Sequence, residues 1–186
     1  MIQMTDRQTI RFGGFGGQGI VLSSVVFGLA AVHDGNYVCQ RASYGSEARG
    51  GKCKSEVIIS DEEISYPIID DLKVLVVMSQ QAIDSYLNEL SPGGLLLLDP
   101  DMVDGVNRTD IRVLKIPAAK KADLLGNRIV ANMVMLGALQ AEIGAVTKES
   151  LHKAMRDSVA DRFIEINTKA LEAGESLIQD LGRGEE

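Results

Sequence analysis

Six residues, Gly14-Phe15-Gly16-Gly17-Gln18-Gly19, join a stretch that reads as a β-strand (Thr9 to Phe15) to one that reads as an α-helix (Gln18 to Asp34). They match G-x-G-x-x-G in the strand–turn–helix context that gives the pattern its meaning. Glycines permit the tight turn and a close backbone approach, and the unpaired N–H groups at a helix start face an anion. Gly14, Gly16, Gly17, Gln18 and Gly19 are therefore candidate binding residues, with a pyrophosphate as the expected guest. The plainer alternative is that the glycines only let the helix pack closely on the strand. That helix is apolar nearly all round (Ile20, Val21, Leu22, Val25, Val26, Phe27, Leu29), so it is expected to be buried. A dinucleotide fold places an acidic residue about 20 residues beyond the motif. Here the second strand ends Tyr37-Val38-Cys39-Gln40-Arg41 with no acid, which disfavours NAD. Arg41 suits a 2′-phosphate, so a free-standing NADP-binding reductase stays open.

The rest of the chain alternates between strand and helix patterns. Asn36 to Ser43 and Lys52 to Ser60 read as strands, and the link between them, Tyr44 to Gly51, is too short for a parallel crossover. They pair antiparallel, if they pair at all. Lys73 to Met78 reads as a strand and Gln80 to Leu90 as a helix. Ser91-Pro92-Gly93-Gly94 reads as a turn, and Leu95 to Leu98 as a strand stopped by Asp99-Pro100. Ile111 to Ile116 follows as a strand, and then Asn127 to Gly144, Lys148 to Asp157 and Asp161 to Leu181 as helices. The expected fold is α/β: one Rossmann-like three-layer domain over residues 1–186, with a mixed, mainly parallel sheet and a helical C-terminal part.

A formal charge of −7 over 186 residues argues against general nucleic-acid binding. Within it lies a basic island. From Arg41 to Lys54, four cations (Arg41, Arg49, Lys52, Lys54) against Glu47 leave +3. Ser43-Tyr44-Gly45-Ser46-Glu47-Ala48-Arg49-Gly50-Gly51 mixes hydroxyls, a guanidinium and a glycine pair, donors that hold a phosphate. A solvated hairpin turn is the bland alternative. No constellation for independent catalysis emerges. His33 and His152 read as surface or helix-end residues, and Ser23 and Ser24 as hydroxyls satisfied by backbone carbonyls. Cys39 and Cys53 lack activating partners, and Asn132 reads as a core amide or an interface contact. No apolar signal core precedes Thr9, and the uncharged run Ile129 to Ala141 is too short to span a bilayer. A cytoplasmic location is expected.

Phe-Gly-Gly-Phe-Gly-Gly-Gln-Gly-Ile (12–20), Ser-Tyr-Gly-Ser-Glu-Ala-Arg-Gly-Gly (43–51), Ser-Glu-Val-Ile-Ile-Ser-Asp-Glu-Glu-Ile (55–64) and Asn127-Arg-Ile-Val-Ala-Asn132 together resemble the γ subunit of 2-oxoacid:ferredoxin oxidoreductases. The resemblance implies a non-catalytic subunit of an enzyme that oxidatively decarboxylates a 2-oxoacid with coenzyme A and passes electrons to ferredoxin. It implies α and β partner subunits, with δ a further candidate. Thiamine diphosphate, magnesium and iron–sulfur clusters would belong to those partners, and this chain would contact coenzyme A and help close the active site. Glu47-Ala48-Arg49 is most similar to the 2-oxoglutarate and branched-chain types, and 2-oxoglutarate is favoured; indolepyruvate enzymes carry a related domain. Carried onto this sequence, the coenzyme A residues are Gly14, Gly16, Gly17, Gln18 and Gly19 with Tyr44, Ser46, Arg49, Gly50 and Lys52, and Lys54 as a further source of charge. A purely structural docking role in the same complex is the other outcome the sequence permits.

Overall fold

The strand expected before the glycines forms as β1 (Gln8–Phe15) and takes an interior place in the sheet, paired on both sides. In the computed structural model, which describes residues 7–44 and 51–183, it is joined by β2 (Tyr37–Tyr44), β3 (Lys52–Ser60), β4 (Leu72–Val77), β5 (Leu90–Leu98) and β6 (Arg112–Lys115). The order is β2-β3-β1-β4-β5-β6. Strands β2, β3 and β1 run alternately antiparallel, whereas β1, β4, β5 and β6 are parallel. The short link after Tyr44 thus closes a β2–β3 hairpin, as its length requires, and the sheet is mixed but mainly parallel.

Alternation along the strands sorts side chains into two layers. Ile10, Phe12, Val57, Ile59, Val74, Val76, Leu95 and Leu97 face a core closed by α1 (Ile20–His33), α3 (Ala118–Leu124), α4 (Ala131–Ile143), α5 (Lys148–Ser158) and α6 (Ile164–Arg183). Leu75, Val77, Leu96 and Leu98 face the other way, against α2 (Gln80–Tyr86). One layer of helices is therefore thick and the other is a single short helix among the described residues.

Three expectations give way, and one helix, α3, has no counterpart among them. Ser91–Gly94 is not a turn between elements but a bulge inside β5. Leu72 opposes Leu90 and Val74 opposes Leu95, so Lys73 alone faces four residues, and Gly93 (φ 78°) donates its N–H to Asp110 O at 2.7 Å. Helix α3 had no strong apolar period; its start is capped from outside, by Asp99 Oδ2 accepting from Ala119 N at 2.7 Å. Helix α1 is not buried all round, since Val25 and Val32 are 40% and 52% exposed. His152 is not a surface residue either. It is buried, its Nε2 3.2 Å from the buried Glu175 carboxylate, whose other oxygen holds Lys148 Nζ at 2.5 Å. His33 does lie exposed at the end of α1, beside Asp157.

The helical layer is interlocked. Asp34, at the end of α1, accepts from Thr147 N, Thr147 Oγ1 and Ser150 Oγ at 2.6–2.7 Å and so pins the start of α5. Helices α4 and α6 cross with almost no space between backbones. A Cβ at Gly137 would lie 2.0 Å from Leu171 O, and one at Gly174 1.9 Å from Val134 O. Because backbone cannot yield as a side-chain tip can, Gly174→Ala is expected to cost about 2 kcal/mol or more. Calorimetry should then show the melting temperature lowered by roughly 5 °C; an unchanged melting temperature would show that the crossing is loose.

Candidate functional site

The chain leaves β1 for α1 on one face of the sheet and leaves the neighbouring β4 for α2 on the other. Two adjacent parallel strands whose helices depart to opposite faces open a crevice at their carboxyl ends, the place where α/β sheets bind ligands. The glycine loop lies there. Gly19 takes a left-handed conformation (φ 73°) as the N-terminal boundary of α1 and, having no side chain, does not cap the first turn. Gly17 is left-handed too and exposed. A Cβ on Gly14 would meet Gln18 Oε1 at 2.5 Å, because the Gln18 amide fills the inside of the loop. It accepts from Phe15 N at 2.7 Å and donates to Met78 O at 2.8 Å, tying the loop to the end of β4. Gln18 therefore shapes the loop with both ends of its amide, a role its place in the motif did not disclose.

Antiparallel pairing of β1 with β3 brings Gly51, the last residue of the second motif, to the same edge. Phe15 opposes Lys52, and Gly16 N donates to Gly51 O at 3.2 Å. The first half of the glycine loop and the residue just before β3 are thus hydrogen-bonded neighbours, with the Lys52 side chain exposed beside them. Of the other expected residues, Ser46, Arg49 and Gly50 lie outside the described residues, and Tyr44 is described only as the last residue of β2, opposite Cys53.

The rest of the basic island goes elsewhere. On the α2 face, Arg11 and Glu56 are both buried and paired at 2.7 Å. Glu56 also accepts from Arg41 at 2.7 Å and lies 3.6 Å from Lys54 Nζ, while Glu89 holds Arg11 from the other side at 2.7 Å. Arg11 and Lys54 lie 5.3 and 5.7 Å from the centre of the Tyr86 ring. Counting Arg41 and Lys54 as free charge overlooked Glu56, two residues beyond the island. The NADP alternative fails on the same geometry. Arg41 is committed to Glu56, and β2 is separated from β1 by β3, so its end does not adjoin the loop as a ribose-binding strand would.

Cys53 packs in the α1-side core, where burial pushes its thiol up, whereas Cys39 lies on the Arg41 face opposite Ile58. The two cannot pair or share a metal cluster. Ser23 Oγ donates to Gly19 O at 3.0 Å and Ser24 Oγ to Val21 O at 2.7 Å, as expected; Ser24 also bonds the Ser55 hydroxyl at 2.7 Å.

Residues 9–177 match the family described as pyruvate ferredoxin/flavodoxin oxidoreductase. The chain belongs to that family. It is similar to the 2-oxoglutarate synthase subunit KorC of Methanothermobacter thermautotrophicus, with 43% identity covering 95% of this chain and 98% of the relative. Its structure is similar to the γ subunit of a keto/oxoacid ferredoxin oxidoreductase from Geobacter sulfurreducens, with a TM-score of 0.83 and 38% identity, covering 93% of this chain and 99% of that one. The same fold recurs, at TM-score 0.87 and 22% identity, in a 2-oxoglutarate:ferredoxin oxidoreductase from Magnetococcus marinus solved with 2-oxoglutarate, coenzyme A and succinyl-CoA. The match covers 95% of this chain but only 32% of that longer one. No helix among the described residues is long and apolar enough to cross a membrane.

In this family member the crevice is flanked by two hollows that sequence reasoning missed in part. One, of about 250 Å³, is lined by Gly17, Gln18, Met78, Met102, Arg128 and Ile129 among others. Asp99 forms its floor, fully buried; desolvation pushes its carboxyl up, partly offset by the N–H donors of Ala119 and Asp101. The other, of about 290 Å³, lies across the turn Arg128–Val130, and Asn132 in its wall donates to Gly19 O at 3.4 Å. Met78 and Asp99 directly follow the parallel strands β4 and β5, so the rule that α/β ligands sit at carboxyl ends could have found them.

Burial pushes the Glu56 carboxyl up, but hydrogen bonds from Arg41 and Arg11 and the charges of Arg11 and Lys54 outweigh it and hold the group below its usual value. A depressed carboxylate contributes stability fully above its unfolded pKa and loses it as pH falls through the lower folded value. Glu56→Gln leaves Arg11 buried without its main partner, so unfolding free energy should fall by about 3–5 kcal/mol at neutral pH. Urea melts should show that gap unchanged at pH 5 and narrowing only below about pH 4. A gap that closes already near pH 6 would contradict the assignment.

Proposed function

We propose that this chain is the γ subunit of a 2-oxoglutarate:ferredoxin oxidoreductase, and that its glycine loop and the neighbouring hairpin tip hold coenzyme A where that substrate enters the active site. The observation that carries the reading is the Gly16–Gly51 hydrogen bond. It joins two motifs 35 residues apart in sequence (51 − 16) into one edge at the carboxyl end of β1. Coenzyme A offers that edge a pyrophosphate and a ribose phosphate. The uncapped start of α1 suits the first and the cationic tip the second. Similarity to KorC over nearly its full length supports 2-oxoglutarate as the substrate.

In this reading the chain binds and orients and does no bond-breaking. Gly14, Gly16, Gly17 and Gly19 let the backbone approach the phosphates, and Gln18 fixes the shape of the loop from inside. Lys52, with Arg49, Ser46, Tyr44 and Gly50 of the tip, supplies charge and donors. The α and β subunits, with δ as a further candidate, would carry thiamine diphosphate, magnesium and the iron–sulfur cluster, and ferredoxin would receive the electrons through the complex.

Two measurements test this. The chain, tagged and purified from its native cells, should bring down thiamine-binding and iron–sulfur subunits. The eluate should reduce viologen in a coenzyme A-dependent way, fastest with 2-oxoglutarate among a panel of 2-oxoacids; a different preferred acid would correct the substrate alone. In the assembled enzyme, Arg49→Ala and Lys52→Ala should each raise the coenzyme A KM by roughly tenfold or more, the loss of one charge-assisted hydrogen bond. The 2-oxoacid KM and subunit co-purification should not move. An unchanged coenzyme A KM would remove that residue from the site.

A further inference from the structure

We infer that the hollow between the glycine loop and the carboxyl ends of β4 and β5 receives the pantetheine arm of coenzyme A, with Arg128 at its mouth as the binding cation. The inference rests on the reading of the glycine loop as the seat of the pyrophosphate. From its pyrophosphate the molecule runs two ways. One end is an adenosine carrying a 3′-phosphate. The other is an uncharged arm with a branched dimethyl carbon, a hydroxyl, two amides and a thiol. The two sides of the loop suit different ends.

On the β3 side stands Lys52, exposed opposite Phe15 and without an ion pair among the described residues. An unpaired ammonium at an edge suits a phosphate. On the β4 side the hollow, of about 250 Å³, is walled by Met78 after β4, Met102 after β5, and Ile129. Such side chains gain from an apolar carbon and nothing from a phosphate. Asp99 at the floor is fully buried, and its two oxygens accept N–H groups from Asp101 at 3.0 Å and Ala119 at 2.7 Å. It offers a phosphate no donor, and its own charge opposes one. The phosphorylated end is thus directed to Lys52 and the uncharged arm to the hollow. Gly17 and Gln18 belong to both the loop and the wall of the hollow, so a molecule seated by its pyrophosphate on the first meets the second without a break.

Arg128 is the one cation lining the hollow among the described residues. It opens a turn that Asn127 fixes: the Asn127 side chain accepts from Ile129 N at 3.1 Å and its backbone oxygen from Val130 N at 3.2 Å. The guanidinium is held between Asp123 Oδ2 at 3.1 Å and Met102 Sδ at 3.9 Å, and its other donors make no hydrogen bond among the described residues. Paired with Asp123, it brings little net charge to the hollow, which suits the carbonyl oxygen of an amide better than a phosphate. Both members of that pair are half exposed or more, so the pair contributes little to folding and Arg128 can be replaced without unfolding the chain.

The test uses the assembled enzyme and three probes: coenzyme A, dephospho-coenzyme A, which lacks the 3′-phosphate, and adenosine 3′,5′-bisphosphate, which lacks the arm and competes with coenzyme A. Arg128→Ala should raise the KM of coenzyme A and of its dephospho form by roughly tenfold or more, the loss of one charge-assisted hydrogen bond. The inhibition constant of the bisphosphate should not move. Lys52→Ala should do the reverse, weakening the bisphosphate and leaving the dephospho form alone. Met102→Trp, which narrows the hollow, should follow Arg128→Ala at an unchanged melting temperature. If Arg128→Ala weakens the bisphosphate as much as coenzyme A, the hollow holds the nucleotide end and the orientation is overturned. If Arg128→Ala and Met102→Trp leave the coenzyme A KM alone while Lys52→Ala raises it, the hollow takes no part and the reading of the loop stands. If all three variants leave every constant alone, coenzyme A does not seat on this chain, and that reading falls together with the inference.

Discussion

Strand β1 is hydrogen-bonded antiparallel to β3 on one side and parallel to β4 on the other, and the architecture of the crevice depends on that double pairing. The parallel side places the end of β1 next to the end of β4, whose helices depart to opposite faces and leave the crevice between them. The antiparallel side brings Gly51, just before β3, against Gly16 of the glycine loop. Neither side alone would set the glycine loop both at the crevice and beside Lys52. The sheet thus sets the position of the loop before any side chain at its edge is considered.

The layers differ in what they must satisfy. On the α1 side the strands present mostly apolar or small residues to five helices, with Gln40 bonded to Ser24 and Arg112 paired with Glu142, and close packing through Gly137 and Gly174 contributes to the stability. On the other side α2 is too short to reach across β3 and β2. That portion of sheet meets water at Arg41 and Lys54, and it keeps Glu56 and Arg11 buried by surrounding them with opposite charge. The stability of such a cluster lies less in its presence than in the loss suffered when one member goes, because the remaining charge stays desolvated.

The strand and helix order was legible because it rests on local patterns. The glycines between Phe12 and Ile20 announce a strand–helix passage, the length of the link from Tyr44 to Gly51 forces a hairpin, and the Leu95–Leu98 run reads as a strand buried on both faces. What escaped depends on contacts distant in sequence. Ser91-Pro-Gly-Gly has turn chemistry but is carried inside β5, because Gly93 finds its partner in Asp110. Helix α3 owes its start to Asp99, twenty residues from the amide it caps. His152 sits between Leu151 and Lys153 in sequence, and only the packing of α5 on α6 buries it against Glu175. Within the site, the glycine positions were legible from the motif, but Arg41 and Lys54 were misassigned since their partner lies outside the loop that drew attention to them.

The face alternation of β3 has a consequence for how the chain can vary. Lys52, Lys54 and Glu56 look to one side, and Cys53, Ser55 and Val57 look to the core beneath α1. Inserting or deleting one residue between Gly51 and Glu56 would exchange the two sets, driving lysines under α1 and a core valine into water. The number of residues separating the second glycine pair from Glu56 is therefore held by strand parity, whatever molecule the loop binds. Within β3, from Lys52 onward, a change of one residue therefore cannot be absorbed without reversing the faces.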